Sequence, residues 1–157
     1  MTVRTGLGVD SHRFAVGRRL VIGGVEVPHD RGLLGHSDAD VLTHAITDAI
    51  LGAAGLGDIG EHFPDTDPEW EGADSIALLE AVVALAARSG WRVAHVDATV
   101  LMERPKLAPH RPAIRARLSE ALGAAEVSVK ATTGEGMGFV GRGEGIACVA
   151  VAALESE

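Results

Sequence analysis

The sequence predicts an α+β domain, a mixed β-sheet with helices mainly on one face. Three observations predict it. The period of the apolar pattern changes along the chain, giving the order strand, hairpin, two helices, strand, helix, strand, strand. The length of 157 residues suits a single domain, residues 1–157, that buries its core without staples. Hydrophobic residues make up 46% of the chain but aromatics only 3%, so the core is closely packed Ala, Val, Leu and Ile.

Residues 3–9 are a short β-rich run ending at Asp10-Ser11-His12. Along an extended segment i and i+2 face the same way, so Asp10 and His12 can present an oxygen and a nitrogen to one point. A strand end with Asp capping a turn N–H is the structural alternative. Residues 20–27 read as a β-hairpin in which Gly23-Gly24 supplies a two-residue turn needing positive φ, and Pro28 ends its second strand. It is either structural or a flap over a site.

His36-Ser37-Asp38-Ala39-Asp40-Val41-Leu42-Thr43-His44 places two histidines and two aspartates at a helix entrance. Ser37 with Asp40 resembles a capping box, with Asp replacing the usual Glu. The helix then runs to about residue 54 on an apolar face of Val41, Leu42, Ala45, Ile46, Ala49 and Ile50, and Gly55 closes it. His44 lies one turn beyond Asp40 and can extend toward Asp10 and His12. Residues 57–68 read as a long polar loop, functional or mobile. Asp74-Ser75 caps a second helix over residues 76–88, ended by Gly90, with ordinary core periodicity. Residues 91–102 are a β run. Pro105 and Pro109 forbid regular structure after it, and a helix over residues 112–122 follows. A strand over residues 127–133 leads into a glycine loop, and residues 146–154 form a last, buried strand.

That loop contains Gly136, Gly138 and Gly141 at the spacing of the dinucleotide fingerprint. The fingerprint also needs a following helix, a second strand and a ribose-binding acid about 20 residues on. After Gly145 the residues read as one strand, with no helix between it and the loop to hold a pyrophosphate. Glycine N–H groups and the Thr132 and Thr133 hydroxyls can still face phosphate oxygens.

The net charge of −8 gives no general attraction for nucleic acid or an anionic membrane. A phosphate ligand therefore needs a local device. The single Cys148 excludes an intrachain disulfide and a thiolate-rich zinc site, so a metal must be held by His and carboxylate. Met1-Thr2-Val3-Arg4-Thr5-Gly6 has no apolar run of signal-peptide length, and residues 76–87 are too short to span a bilayer. A cytoplasmic protein is expected.

Asp10, His12 and His44 form an O/N/N set that suits Zn2+ with one coordination position open, although Fe2+, Co2+ or Mn2+ fit the same donors. The first strand end, the first helix and the Thr-Gly loop can converge. An open metal position beside Thr and Gly donors, Lys106 and Arg142 suits phosphoryl chemistry. Glu135 could hold a second, harder ion such as Mg2+. No Ser/His/Asp or Cys/His nucleophile is readable.

These residues resemble the 2-C-methyl-D-erythritol 2,4-cyclodiphosphate synthase family of the non-mevalonate isoprenoid pathway. The matching stretches are Gly8 to Phe14, Ile22 to Val25, Gly32 to Val41 with His44, Leu56 to Gly60, His62 to Asp67, Pro105-Lys106, and Val129 to Thr133 through Gly138 to Gly145, in the family's order over nearly the whole chain. The resemblance implies a lyase that acts on 4-diphosphocytidyl-2-C-methyl-D-erythritol 2-phosphate. The 2-phosphate attacks the β-phosphorus, closing a cyclic diphosphate and releasing CMP. It implies that Asp10, His12 and His44 bind one Zn2+ per subunit. Glu135 would meet Mg2+ or Mn2+ between the α- and β-phosphates. His36, Ser37 and Thr133 would contact phosphates, with His36 and Thr133 in catalytic positions. Asp58, Ile59 and Gly60, with His62, Phe63, Pro64 and Asp65, would bind the methylerythritol part. Met102, Glu103, Arg104, Pro105, Lys106, Leu107 and Ala108, with Ala131, Thr132, Thr133 and Gly134, would form the cytidine pocket and phosphate loop. The family is a homotrimer with active sites between subunits and a central apolar channel near Phe139 and Arg142; neither nucleic acid nor membrane is a partner. Asp38 and Asp40 are then a cap and support for the helix that aims His44.

Two positions depart from the family. Relatives often carry Thr and Lys where this chain has Gly134 and Gly136, which makes the loop more flexible when empty and removes a cation. Ala108 replaces a larger apolar residue. Two other functions use the same residues: a zinc-dependent phosphohydrolase, and a non-catalytic trimeric small-molecule binding module.

Overall fold

The computed structural model describes residues 1–156. The strands are β1 (Thr2–Val16), β2 (Val21–Ile22), β3 (Val25–Glu26), β4 (Arg31–Leu33), β5 (Arg92–Leu101), β6 (Glu126–Thr132) and β7 (Gly145–Ser156). The helices are α1 (Val41–Ala54), α2 (Ile59–His62), α3 (Ser75–Arg88), α4 (Arg111–Ala121) and α5 (Gly138–Gly141). Five strands form one sheet in the order β4-β1-β7-β5-β6. Only β5 and β6 are parallel; the other pairs are antiparallel. The mixed α+β class is as the sequence predicts.

β1 corrects the expectation of a short strand. It continues beyond Asp10 because its ladder with β7 runs from Thr2↔Ser156 to Arg13↔Gly145, and β4 pairs with it from Phe14 onward. β7 thus supplies cross-strand partners on one edge as far as Arg13, and β4 supplies them for the last three residues. Asp10 and His12 lie mid-strand, which removes the alternative of a capping turn.

Along β1 one residue in two faces the helices: Gly6, Gly8, Asp10, His12 and Phe14. At Gly8 an added Cβ would stand 1.8 Å from the Ala45 carbonyl oxygen, and at Gly6 2.0 Å from that of Ala49. The strand thus lies directly against the α1 backbone, along the stripe Ala45, Ala49, Ala53. This small-residue seam is how a chain poor in aromatics closes its core. α1 is buried on nearly every side by β1, β7 and α3. On the opposite face of the sheet Val3, Leu7, Val9, Val149 and Val151 are exposed.

The cap of α1 is Asp40, not Ser37. Its buried carboxylate accepts from Thr43 N at 3.0 Å and Thr43 Oγ1 at 2.7 Å. It also accepts from Gly23 N at 2.8 Å and Gly24 N at 2.7 Å. Gly23 and Gly24 have φ of 59° and 73°, the left-handed pair that a type I′ turn requires. One carboxylate therefore joins hairpin and helix, so the hairpin is structural rather than a flap. Gly55 ends α1 at φ 72°.

The segment read as a polar loop holds the single turn α2, capped by Asp58, and a 3-10 turn at Pro68–Trp70. α3 starts at the expected Asp74 cap. The glycine loop contains only the one-turn α5 before β7, so a dinucleotide βαβ unit is absent, as the sequence implies. Among the described residues no helix is long and apolar enough to cross a membrane.

Candidate metal centre and substrate cleft

Asp10, His12 and His44 form the one group among the described residues whose ligand atoms could hold a metal ion together. β1 supplies the first two from adjacent inward positions. α1 supplies His44 from the turn above the Gly8–Ala45 contact. His12 Nε2 lies 2.8 Å from Asp10 Oδ2, and His44 Nδ1 lies 3.1 Å from the same oxygen. The two imidazole nitrogens are 3.3 Å apart. These separations approximate the edges of a coordination polyhedron with bonds of about 2.0–2.2 Å.

The other nitrogen of each ring is occupied by an oxygen. His12 Nδ1 donates to the Leu34 carbonyl at 3.0 Å. His44 Nε2 lies 2.7 Å from Ser75 Oγ and 3.1 Å from Ser37 Oγ. Ser75 Oγ donates onward to Asp38, so its oxygen is left to accept the His44 proton. Both rings then carry their hydrogen on the far nitrogen and turn a lone pair toward Asp10, the arrangement that metal-ligating histidines use. Burial disfavours the Asp10 carboxylate, but in the other protonation state, with N–H groups of His12 and His44 turned toward it, their hydrogen bonds and charge outweigh burial and lower its pKa to about 2. Burial opposes the charge on His12 as well, yet Asp10 raises its pKa. An ionised carboxylate with two such imidazoles fits a divalent cation.

The triad opens into a cavity of 400 Å³ lined also by His36, Ser37, Ile59, Gly60, Phe63, Pro64, Asp65 and Trp70. His36 Nε2 donates to the Asp67 carbonyl at 3.0 Å, leaving Nδ1 free to meet a ligand. Asp58 and His62 are engaged locally instead. The first caps α2 through Glu61 N, and the second donates to the Leu56 carbonyl at 2.7 Å. Two residues have structural roles that no sequence pattern signals. The sequence shows Ser75 only as a helix start, yet its hydroxyl accepts from His44 Nε2 and donates to Asp38. Arg18 holds the 33–37 segment through the Leu33 and Ser37 carbonyls at 2.8 and 2.9 Å.

The expected convergence of the Thr-Gly loop on the triad does not occur within one chain. Met102, Glu103, Pro105, Lys106, Leu107 and Ala108 line a separate cleft with Ala131, Thr132 and Thr133. The register Asp10↔Cys148, Cys148↔Val100, Val100↔Ala131 puts three strand spacings between them, about 14 Å. Arg104 and Arg142 border Thr133 on its other side. Phe139 is exposed beside Arg13 and Glu144. Glu135 is exposed at φ 53°, and its N–H donates to Thr133 Oγ1 at 3.2 Å. Gly134 has a packing reason of its own: a Cβ there would meet Gly141 N at 2.7 Å and Met137 O at 2.8 Å. The loop closes tightly on α5, which qualifies the expected looseness.

Residues 3–155 match the YgbB family. A bifunctional enzyme IspD/IspF of Anaeromyxobacter dehalogenans is 65% identical over 97% of this chain, which spans only 40% of that relative. A 2-C-methyl-D-erythritol 2,4-cyclodiphosphate synthase of Geobacter sulfurreducens is 57% identical over 99% of this chain and 100% of its own length. The solved bifunctional IspDF of Campylobacter jejuni aligns with TM-score 0.96 and 40% identity, covering 99% of this chain and 43% of that one. A 2C-methyl-D-erythritol-2,4-cyclodiphosphate synthase structure in a CDP-bound form aligns with TM-score 0.87 and 38% identity, over 97% and 100%.

Proposed function

Because this chain belongs to the YgbB family, we propose that it converts 4-diphosphocytidyl-2-C-methyl-D-erythritol 2-phosphate to 2-C-methyl-D-erythritol 2,4-cyclodiphosphate and CMP. The observation that carries the reading is the Asp10-His12-His44 triad facing a cleft with His36 and Ser37. An oxygen of the 2-phosphate attacks the β-phosphorus, and the bond from that phosphorus to the CMP oxygen breaks. Both reacting groups belong to one substrate, so holding them in line supplies much of the acceleration.

Asp10, His12 and His44 would hold Zn2+, which supplies Lewis-acid polarisation of a phosphoryl oxygen. His36 and Ser37 donate to substrate phosphates from the same cleft. Ile59, Gly60, Phe63, Pro64 and Asp65 enclose the methylerythritol part, with Asp58 and His62 fixing the turn that presents them. The cleft from Met102 to Ala108 with Ala131 to Thr133 takes the cytidine. Glu135 would hold Mg2+ or Mn2+ with the diphosphate. The separation of the two clefts within one chain favours a site shared between copies, the triad half from one subunit and the Thr133 half from its neighbour. The exposed valines and Leu7 on β1 and β7 suit burial in a homotrimer, with Phe139 and Arg142 near its axis.

The Asp-His-His set would serve a water-activating phosphohydrolase equally, so products, not ligands, separate the two. The test of the metal-dependent reading is His44→Ala. It should lose bound zinc and CMP release together, and turnover retained in a zinc-free variant contradicts the reading.

A further inference from the structure

Glu103 is an anomaly in a cleft built for a polyanion. It lines both cavities beside Thr133, in the company of Arg104 and Lys106. A carboxylate free in that position would repel a diphosphate. The structure gives it another partner: Glu103 Oε1 accepts the backbone N–H of Gly134.

Gly134 follows Thr133 in a turn that its own residues do not favour. Glu135 sits at φ 53° and Gly136 at φ 75°. A non-glycine residue in the left-handed region is strained by its own Cβ. Two further hydrogen bonds hold the turn, both internal to it: Glu135 N to Thr133 Oγ1 at 3.2 Å and Met137 N to Gly134 O at 2.9 Å. Besides the Thr132 hydroxyl at the end of β6, 3.5 Å from the Thr133 carbonyl oxygen, Glu103 supplies the side-chain hydrogen bond that reaches this turn from the β5 side.

We propose that Glu103 is a positioning residue that fixes the Thr133 hydroxyl by anchoring Gly134 N–H, and so couples the nucleotide cleft to the phosphate loop. It lines the nucleotide cleft, but its effect on the reaction runs through Thr133, because one of its carboxylate oxygens is engaged by the Gly134 N–H. The coupling has a geometric basis. Glu103 belongs to the segment that leaves β5, while Thr133 leaves β6, and the two strands are in parallel register from His95↔Glu126 to Leu101↔Thr132. The hydrogen bond of Met102 N to Thr132 O at 2.9 Å continues that register past the strand ends. The Glu103–Gly134 bond is its next rung, made by a side chain where the backbones diverge. The effect on turnover rests on the synthase reading; the effect on the loop does not.

The test uses Glu103→Ala and Glu103→Gln in the zinc-loaded protein, with three readouts: kcat for CMP release, CDP affinity by calorimetry, and amide exchange of Gly134 by NMR. Glu103→Ala should lower kcat by about 10- to 100-fold, lower CDP affinity by less than it lowers kcat because Glu103 also lines the nucleotide cleft, and speed Gly134 exchange. Glu103→Gln keeps an acceptor oxygen and should restore most of the rate and the protection. Equal loss in both variants, weaker CDP binding with unchanged kcat, or unchanged Gly134 exchange in Glu103→Ala would each overturn the proposal. If the wild-type protein releases no CMP, the synthase reading fails, and Gly134 exchange alone decides whether Glu103 holds the loop.

Discussion

Gly8→Ala is the smallest change that should damage the metal centre from outside it. The added Cβ would lie 1.8 Å from the Ala45 carbonyl oxygen and 2.8 Å from Ala49 N, whereas ordinary contact starts at 3.4 Å. Both obstacles are helix backbone, so no side chain can rotate away. β1 and α1 must part by roughly 1.5 Å at that point. Overpacking usually costs about 1–3 kcal/mol, and a rigid obstacle on both sides places this change near the top of that range. In a chain of this length about 3 kcal/mol corresponds to a fall of roughly 6–12 °C in Tm. The same movement carries His44 away from Asp10 and His12, whose ligand atoms now lie 2.8–3.3 Å apart. A shift of that size exceeds the few tenths of an ångström that a metal site tolerates. Zinc affinity should fall by at least about 100-fold. Thermal unfolding of the metal-free protein and a competitive chelator titration read the two effects separately. Gly52→Ala is the control. That helical glycine has nothing within 4 Å of an added Cβ, so the substitution should stabilise by about 0.5–1 kcal/mol. A Gly8→Ala protein within about 0.5 kcal/mol of wild type, with unchanged zinc affinity, would refute the close-seam reasoning.

Ser75→Ala removes the nearer of the two hydroxyl oxygens at His44 Nε2 and leaves only Ser37 at 3.1 Å, so zinc affinity should drop by about 10-fold with CDP affinity unchanged; equal zinc affinity by chelator titration would show that the Ser75 link is incidental. Cys148 is buried, and desolvation pushes its thiol up to about 12. The folded pKa is raised, so the thiol's contribution to stability is intact at neutral pH and is lost as pH rises from about 9 toward 12, at up to about 1.4 kcal/mol per pH unit. Urea unfolding at pH 8 and pH 10 should show a steeper loss for wild type than for Cys148→Ala, and parallel losses would contradict the buried, neutral thiol.

Much of the site was legible because its chemistry is local. Asp10 and His12 share a face by strand alternation, and His44 falls one helical turn past its cap. Gly23-Gly24 and Asp74 announce their turn and helix start by conformational need. What stayed hidden depends on pairing across long sequence separations. β1 runs on through Arg13 and Val16 because β7 and β4 supply partners, although its outward residues there are polar. α2 is a single turn, too short to show a period. Ser75 gained its role from Asp38, far away in sequence, and the sequence showed a cap only. Gly6 and Gly8 leave the least room for a side chain of any glycine described, yet a glycine shows no side chain to be read. Their signal was joint: glycines two apart, in phase with Asp10 and His12, opposite alanines four apart at Ala45, Ala49 and Ala53. The placement of Thr133 far from the triad follows from strand order, which no motif in the chain encodes.

The central claim is that this fold closes a ring within its substrate rather than delivering water to it. Phosphorus NMR of the zinc-loaded protein incubated with 4-diphosphocytidyl-2-C-methyl-D-erythritol 2-phosphate tests it most directly. The account predicts signals of a cyclic diphosphate and CMP in equal amounts, with no inorganic phosphate. Free phosphate accompanied by 4-diphosphocytidyl-2-C-methyl-D-erythritol would contradict it.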